Sequence, residues 1–204
     1  ANQGDDTVSK IDVSSETVVA SINVGNGPDL VAFDGTHMWS ANGDDDTVSK
    51  IDVSTETVVA SINVGNGPRA LAFEGNNMWV ANSWDDTVSK IDVSTDTVTA
   101  TIAVGDFPYG VAFDGVHMWV ANQSGESVSK IDVSSDTVVA TVGVGGTAVA
   151  FDGTHMWTTN YSDDTVSKID VSTNAVVAIL TVGCSPWGMT FDGTHIWVTN
   201  SCFD

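Results

Sequence analysis

Histidines are the first side chains to consider for catalysis or metal binding, because imidazole titrates near neutral pH and is a common metal ligand. The histidines here all occupy one position of a repeated sequence unit: His37, His117, His155 and His195, with Asn77 in the remaining copy. Equivalent positions of successive repeats lie apart, so these imidazoles do not converge on one metal. The local spacing shows no H-E-x-x-H, Cys-Cys-His or Ser-His-Asp grouping. We therefore predict turn positions packed beside tryptophans, no catalytic residue and no enzyme.

Acidic residues form a second candidate site, in the loops that precede one strand of each repeat. They are Asp5-Asp6, Asp45-Asp46, Asp85-Asp86, Gly125-Glu126 and Asp163-Asp164, and nearby lie Asn42, Asn82, Asn122, Asn160 and Asn200. Calcium prefers several oxygen ligands of these types. The loops lack the dense alternating pattern of a dedicated calcium loop, and turn chemistry explains Asp and Asn there equally well. Two interpretations stay open, a structural or solvating role and a divalent cation such as calcium. We predict no other cofactor.

The lysines also keep one repeat position, and each precedes an aspartate by two residues. They are Lys10, Lys50, Lys90, Lys130 and Lys168. Residues two apart on a strand share a face. The spacing therefore predicts an ion pair within each repeat that lies between adjacent sheets, for example between Lys50 and Asp52, and a structural role for it.

One position differs in every copy, and it is the strongest candidate for ligand binding. Each repeat contains a short Phe-acid-Gly element, such as Phe33-Asp34-Gly35. Four residues before its phenylalanine, the five copies carry Asp29, Arg69, Tyr109, Thr147 and Trp187. Other aromatic residues that break the repeat lie on the same predicted loop face: Trp84, Phe107, Tyr161 and Phe203. A concave site with aromatic side chains and a few polar groups is typical of a ligand site. Random drift in an exposed loop is the alternative, although exposed Trp and Tyr suit contact with a sugar or peptide.

A sequence period of 40 residues must position all of these side chains. The element VSKIDV begins at residues 8, 48, 88, 128 and 166, and one copy is shortened to 38 residues around Gly145–Ala148. Each copy contains four short segments rich in Val, Ile, Thr and aromatics, separated by turn residues; in the first complete copy they are 30–33, 37–42, 47–53 and 57–64. Four strands per repeat of about 40 residues are typical of a propeller blade. The sequence thus predicts a single all-β domain, residues 1–204, forming a five-bladed β-propeller.

The predicted blades are 28–64, 68–104, 108–144, 147–182 and a fifth made of 186–200 plus 5–24. The fifth blade would combine strands from both ends of the chain and so remove free sheet edges at the join. Ala1-Asn2 repeats a strand end that Thr199-Asn200 already supplies. This overlap would also arise in a chain cut from a longer array.

Cys184 and Cys202 are the only cysteines, and both depart from the repeat. Both lie beside the fifth blade, which combines strands from the two chain ends, and on the same predicted loop face. We therefore predict a disulfide; two unpaired thiols are the alternative. A disulfide implies an oxidising compartment. No signal peptide opens the sequence, and we expect an export signal to have been removed.

Composition limits the partners. The formal charge of -21 argues against nucleic acid and anionic membrane surfaces. No apolar run approaches a membrane span, so no membrane insertion is expected. We expect a monomer that is extracellular, on the cell surface or periplasmic.

The units FDGTHMWVAN, DDTVSKIDVS and TVVATIAVG resemble the repeats of YVTN-type propellers, relatives of the NHL and virginiamycin B lyase-like propellers. The resemblance covers essentially the whole chain. It implies a propeller fold and, for function, a surface or adhesion protein, a ligand binder or an enzyme. Together with the variable, aromatic-rich position, this favours a non-catalytic binding or adhesion module for carbohydrate, peptide or protein that uses the loop-face funnel of the propeller. A structural scaffold from a longer exported protein is the first alternative, and a metal-dependent lyase-like enzyme is the second.

Overall fold

The computed structural model describes residues 1–202, and Phe203 of the predicted site lies outside them. The described residues form twenty β-strands arranged in antiparallel sheets. The chain divides into two compact units, Ala1–Thr101 and Ile102–Asp204. The all-β prediction is confirmed, as is the repeated four-stranded antiparallel sheet.

The first unit contains one two-stranded sheet and two four-stranded sheets. Its strands are β1 (Thr7–Asp12), β2 (Thr17–Asn23), β3 (Pro28–Phe33), β4 (His37–Asn42), β5 (Thr47–Asp52), β6 (Thr57–Asn63), β7 (Pro68–Phe73), β8 (Asn77–Asn82), β9 (Thr87–Asp92) and β10 (Thr97–Ala103), the last of which crosses the boundary between the units. Sheets β3–β6 and β7–β10 each run in chain order, and β1 pairs with β2.

The second unit contains two four-stranded sheets and one two-stranded sheet. Its strands are β11 (Pro108–Phe113), β12 (His117–Asn122), β13 (Ser127–Asp132), β14 (Thr137–Val142), β15 (Val149–Phe151), β16 (His155–Asn160), β17 (Thr165–Asp170), β18 (Val176–Thr181), β19 (Pro186–Phe191) and β20 (Ile196–Asn200). The sheets are β11–β14, β15–β18 and β19–β20.

Consecutive sheets within a unit pack through the tryptophan of each repeat. In the first unit, Trp39 of β4 is fully buried in a cluster with Leu71, Met78 and Ile91 of the next sheet. In the second unit, Trp119 packs in the same way with Val149, Met156 and Ile169. Burying a side chain of this size contributes several kcal/mol, about 25 cal/mol per Å² of apolar surface. These clusters make the repeat rigid.

The Asp-Gly turn before the tryptophan fixes the indole. The Oδ1 atom of Asp34 accepts hydrogen bonds from the backbone N–H groups of Thr36 and His37, and Oδ2 accepts one from the indole Nε1 of Trp39 at 2.7 Å. The imidazole Nδ1 of His37 lies 3.6 Å from Asp34 Oδ2. The histidine is therefore part of the turn, beside the tryptophan, as its repeat position predicts.

The predicted ion pair within each repeat is wrong. The carboxylate of Asp52 accepts hydrogen bonds from Ser54 and Thr55 of its own turn instead. The Nζ atom of Lys50 lies 5.1 Å from the ring centroid of Trp39 in its own sheet and donates to Asp96 in the next sheet at 2.7 Å. The lysine therefore joins neighbouring sheets, because its long side chain reaches Asp96 of the next sheet and not Asp52 of its own strand.

The two-stranded sheets expose residues that complete sheets bury. Ile11 of β1 is 60% exposed, whereas its counterpart Ile51 is buried; Trp197 of β20 is 62% exposed, whereas Trp39 is not exposed at all. The described sheets are open, so the predicted fifth blade is not formed in this structure as one four-stranded sheet.

The shortened copy departs from the predicted strand pattern. Thr147 was expected to begin the first strand of its blade, but β15 contains only Val149–Phe151. The loop has lost the two residues that correspond to Asn66 and Gly67, so the chain enters the sheet later. Thr147 is 1% exposed and does not present its hydroxyl group at the surface.

Candidate functional site

An aromatic cluster in the second unit contains four of the predicted ligand-binding residues. The ring centroids of Tyr109 and Trp187 are 5.1 Å apart at 71°, and those of Tyr161 and Trp187 are 5.6 Å apart at 78°. Phe107 stacks on Tyr109 at 6.3 Å. Edge-to-face pairs of this kind are a preferred aromatic geometry. Two phenol rings therefore hold the indole of Trp187 in one orientation.

The strand starts place these rings together. Tyr109 and Trp187 each follow a buried proline at the first position of β11 and β19, and these strands both contact β15. Gly110 permits the close approach, since a Cβ atom there would lie 2.8 Å from the carbonyl oxygen of Thr147. Trp187 remains 37% exposed, and its two tyrosine neighbours are half-buried. The cluster thus offers a partly exposed indole face on a rigid support.

The first unit holds the other predicted residues in a separate group. The guanidinium Nη1 of Arg69 donates to Asp29 Oδ2 at 2.9 Å, and both side chains are roughly three-quarters buried, with exposures of 22% and 27%. The guanidinium carbon lies 5.9 Å from the ring centroid of Trp84. Trp84 lies over Gly67, where a Cβ atom would come within 2.8 Å of the indole. Arg69 is therefore the counter-ion of Asp29 in the structure.

The acidic loops are held by backbone donors in most copies. The carboxylate of Asp45 accepts hydrogen bonds from the N–H and the side-chain amide of Asn26, and Asp46 accepts one from the N–H of Gly67. The Nδ2 atom of Asn42 donates to Thr47 and Ser49. These contacts favour the structural interpretation of the acidic pairs in the complete copies.

The carboxylate of the Asp-Gly turn is held as an anion by its neighbours. Among residues 1–202 there is no group of three or more His, Cys, Asp and Glu side chains that could hold a metal ion. Burial alone would raise the pKa of Asp34, but hydrogen bonds from His37, Trp39 and Thr36 outweigh it and hold the pKa below its ordinary value. This carboxylate is therefore committed to the turn as an anion.

The predicted disulfide is confirmed. Cys184 and Cys202 are bonded, with Cα atoms 5.4 Å apart, one just before β19 and the other just after β20. The bond closes the open end of this hairpin, opposite the turn that Asp192 holds through the N–H groups of Thr194 and His195.

Sequence reasoning did not anticipate a small polar cavity at the shortened copy. The cavity has a volume of about 50 Å³ and is lined by residues that include Thr147, Asn160 and Tyr161. The deletion at Gly145–Ala148 was a usable signal, because the shortened copy lacks the counterparts of Asn66 and Gly67, which donate to Asp85 and Asp46.

Comparison with known proteins supports the fold and leaves function open. No family model matches the chain, and no curated protein matches it. A chain of hydrazine synthase from Kuenenia stuttgartiensis is similar in structure, with a TM-score of 0.71 and 23% sequence identity over 81% of this chain. The match covers 53% of that chain, so this protein spans about half its length. Such a likeness indicates a propeller-like arrangement of repeated β-sheets and nothing about activity.

No helix among the described residues has the length and apolar character needed to cross a membrane.

Proposed function

We propose that the protein is a non-catalytic binding or adhesion module whose aromatic cluster contacts a carbohydrate or an aromatic-containing peptide. The observation that carries the proposal is the partly exposed indole of Trp187, held edge-on by Tyr109 and Tyr161. Its exposed face is apolar and oriented before any ligand arrives, so little side-chain entropy is lost on binding.

The chemistry of the cluster favours sugars and peptides over other ligands. An indole face packs on the apolar face of a sugar ring or on an aromatic side chain, while phenol groups supply hydrogen bonds. The net charge of -21 disfavours polyanionic ligands. A neutral or cationic ligand with a flat apolar face fits both properties.

Asp29, Arg69 and Trp84 form a second candidate contact in the first unit. Because Arg69 already pairs with Asp29, a ligand carboxylate or hydroxyl pair would have to compete with that carboxylate. We therefore assign this group a secondary part in binding, and Thr147, which is buried, no direct contact with ligand.

A glycan and peptide array tests the proposal on four proteins. Wild type is expected to bind a defined subset, Trp187→Ala to lose it, and Arg69→Ala to keep most of it. Phe33→Ala is the matched control, because Phe33 is 53% exposed but lies outside the candidate contacts. No binding by wild type, or equal binding by Trp187→Ala, would contradict the proposal and favour a structural scaffold.

The scaffold alternative has one observation of its own. The Nδ2 atom of Asn2 donates to Thr7 and Ser9, which are the contacts that Asn42 makes in a complete sheet. Asn2 therefore repeats the contacts of Asn42, as expected in a scaffold of near-identical repeats.

An enzyme remains the less favoured alternative. The similar solved structure belongs to an enzyme, but at 23% identity this bears on the fold alone. Recovery of the protein with a tightly held metal and a turnover that depends on it would overturn the non-catalytic assignment.

We also propose the finer fold, a single-domain YVTN-type propeller of five blades, with β19–β20 and β1–β2 contributing to the fifth. Its support is an apolar cavity of about 310 Å³ in the first unit, lined by Val8, Ile22, Met38 and Ile51 among others. The counterparts of these residues in the next interface surround Trp39. Trp197 of β20 occupies the repeat position of Trp39 and is 62% exposed.

The exposure of Trp197 gives this fold proposal a sharp test. If the blade forms, Trp197→Ala should cost about 3 kcal/mol or more of unfolding free energy, as for a buried tryptophan. An unchanged urea midpoint would contradict it.

The disulfide and the absence of a membrane-spanning helix among the described residues are compatible with an exported protein. We propose a monomer in an oxidising compartment, either extracellular, on the cell surface or periplasmic.

A further inference from the structure

A small polar cavity marks the shortened repeat, and it lies entirely in the second unit. It has a volume of about 50 Å³ and opens to solvent beside the loop that has lost two residues. The side chains that line it are mostly oxygen donors: Gln123, Glu126, Thr147, Asn160, Tyr161 and Asp163. A volume of this size accommodates an ion or one or two water molecules and excludes a larger ligand.

The deletion removes the donors that hold two carboxylates in other copies. Asn66 holds Asp85 with its N–H and its amide at 2.7 Å each, and the N–H of Gly67 donates to Asp46 at 2.9 Å. The shortened copy has no counterpart of Asn66 or Gly67. The acids in these two positions are Asp163 and Glu126, and both line the cavity.

Thr147 provides an independent sign that the cavity takes a ligand. This residue is 1% exposed, and its Oγ1 atom is buried without a hydrogen-bond partner among the described residues. A buried hydroxyl group without a partner costs about 1–3 kcal/mol, so a partner in the cavity is favoured. The Oδ1 atom of Asn160 is also without a partner, a property it shares with Asn42, Asn82 and Asn122. The Thr147 hydroxyl group is therefore the feature that distinguishes the shortened copy from the complete ones.

From this arrangement, we propose that the cavity is a calcium site built by the two-residue deletion. Glu126 and Asp163 supply negative charge, and Thr147, Asn160 and Gln123 supply neutral oxygens, which together match the hard oxygen set that Ca²⁺ prefers. The acidic chain adds a long-range attraction for cations. The proposal does not rest on carbohydrate or peptide binding.

The site also touches the aromatic cluster. Tyr161 lines the cavity and makes the edge-to-face contact with Trp187. An ion held by the neighbouring Asn160 and Asp163 would therefore restrict the loop that carries Tyr161. Calcium would thereby order one side of the aromatic cluster.

Titration with Ca²⁺ and with Tb³⁺ as a luminescent substitute tests the proposal on the intact, oxidised chain. Wild type is expected to bind one ion with saturable heat and with terbium luminescence sensitised by nearby aromatic side chains. Asp163→Asn and Glu126→Gln should each weaken binding about tenfold or more, since calcium affinity depends on the number of charged ligands. Thr147→Val should weaken it by a smaller factor.

Two further variants keep the result unambiguous. Asp85→Asn is the matched control, because Asp85 occupies the position of Asp163 in a copy where Asn66 still donates to the carboxylate. The calcium affinity of this variant should equal that of wild type. Inserting Asn-Gly between Gly145 and Gly146 restores the lost donors and should abolish the site. Weak binding of several ions that none of the variants changes would show attraction by net charge alone and would overturn the proposal. Retained affinity in the insertion variant would overturn it as well.

Discussion

Removing the Cys184–Cys202 disulfide should selectively loosen the β19–β20 hairpin. A two-stranded hairpin is marginally stable by itself, and this one exposes Trp197 where complete sheets bury a tryptophan. The Asp192 turn holds one end of the hairpin, and the disulfide holds the other. The reduced hairpin would keep its turn, its contacts with β15 and β16, and the contacts of Trp187 with Tyr109 and Tyr161.

The sequence separation sets the magnitude. The cysteines are 18 residues apart, and for a loop of this length the chain-entropy model gives about 3 kcal/mol. A free-energy change of this size corresponds to an increase of roughly a hundredfold in the population of the open hairpin. Amide exchange in β19 and β20 should accelerate by up to that factor, whereas β11–β14 should be nearly unchanged.

Hydrogen exchange followed by mass spectrometry, with and without a reducing agent, measures this directly. A Cys184→Ser/Cys202→Ser double variant is the control and should exchange like the reduced wild type, with no response to reductant. The melting temperature should also fall, and oligomers should increase because near-identical strands can pair between chains. Equal protection of the hairpin before and after reduction, with an unchanged melting curve, would refute the reasoning.

Three further predictions follow from named contacts. Lys50→Ala should cost about 2–3 kcal/mol of unfolding free energy, because it removes a largely buried ammonium group from Asp96, whose side chain is 33% exposed. Lys10→Ala, whose ion pair with Glu56 is exposed, should cost less than about 1 kcal/mol. Urea unfolding compares the two variants, and equal costs would contradict the structural account. Gly110→Ala should destabilise the second unit by about 1–3 kcal/mol and disturb its aromatic cluster, whereas Gly143→Ala, which has open space at Cβ, should do neither. Near-ultraviolet circular dichroism reports on the aromatic cluster. Equal spectra for the two variants would argue against the close approach of Gly110 to the Thr147 carbonyl group. Hydrogen bonds, above all from the Ser54 hydroxyl group, lower the pKa of Asp52 to about 2. Its contribution to stability is therefore present above about pH 4 and is lost as the pH falls through about 2. The urea midpoint of an Asp52→Asn variant should change less with pH in this range than that of wild type, and an unchanged pH dependence would contradict this assignment.

Local sequence pattern predicted the elements of this fold well. The second strand of the first complete copy, 37–42, matches the structure, and the neighbouring strands differ by one or two residues at an end. The reason is that segments rich in β-branched and aromatic residues are separated by turns. Each kind of turn recurs with a positive φ angle, for example at Asp46, Glu56 and Gly67. The disulfide followed from the two positions that depart from the repeat.

Contacts between sheets were harder to foresee. The spacing of Lys50 and Asp52 indicated a shared strand face but not the reach to Asp96 in the next sheet. The burial of Thr147 depends on how the chain closes after a deletion, which spacing does not encode. The contact of Trp187 with both Tyr109 and Tyr161 requires strands distant in sequence to meet, so aligning the repeats identified the residues without their geometry.

The affinity of a ligand identified on the array, measured by titration calorimetry for wild type, Trp187→Ala and Phe33→Ala, tests the central claim most directly. If the aromatic cluster is the binding surface, Trp187→Ala should bind at least about thirtyfold more weakly, as expected for a tryptophan hot spot worth about 2 kcal/mol, and Phe33→Ala should match wild type. Equal affinities for all three proteins would contradict the assignment of the cluster as the site.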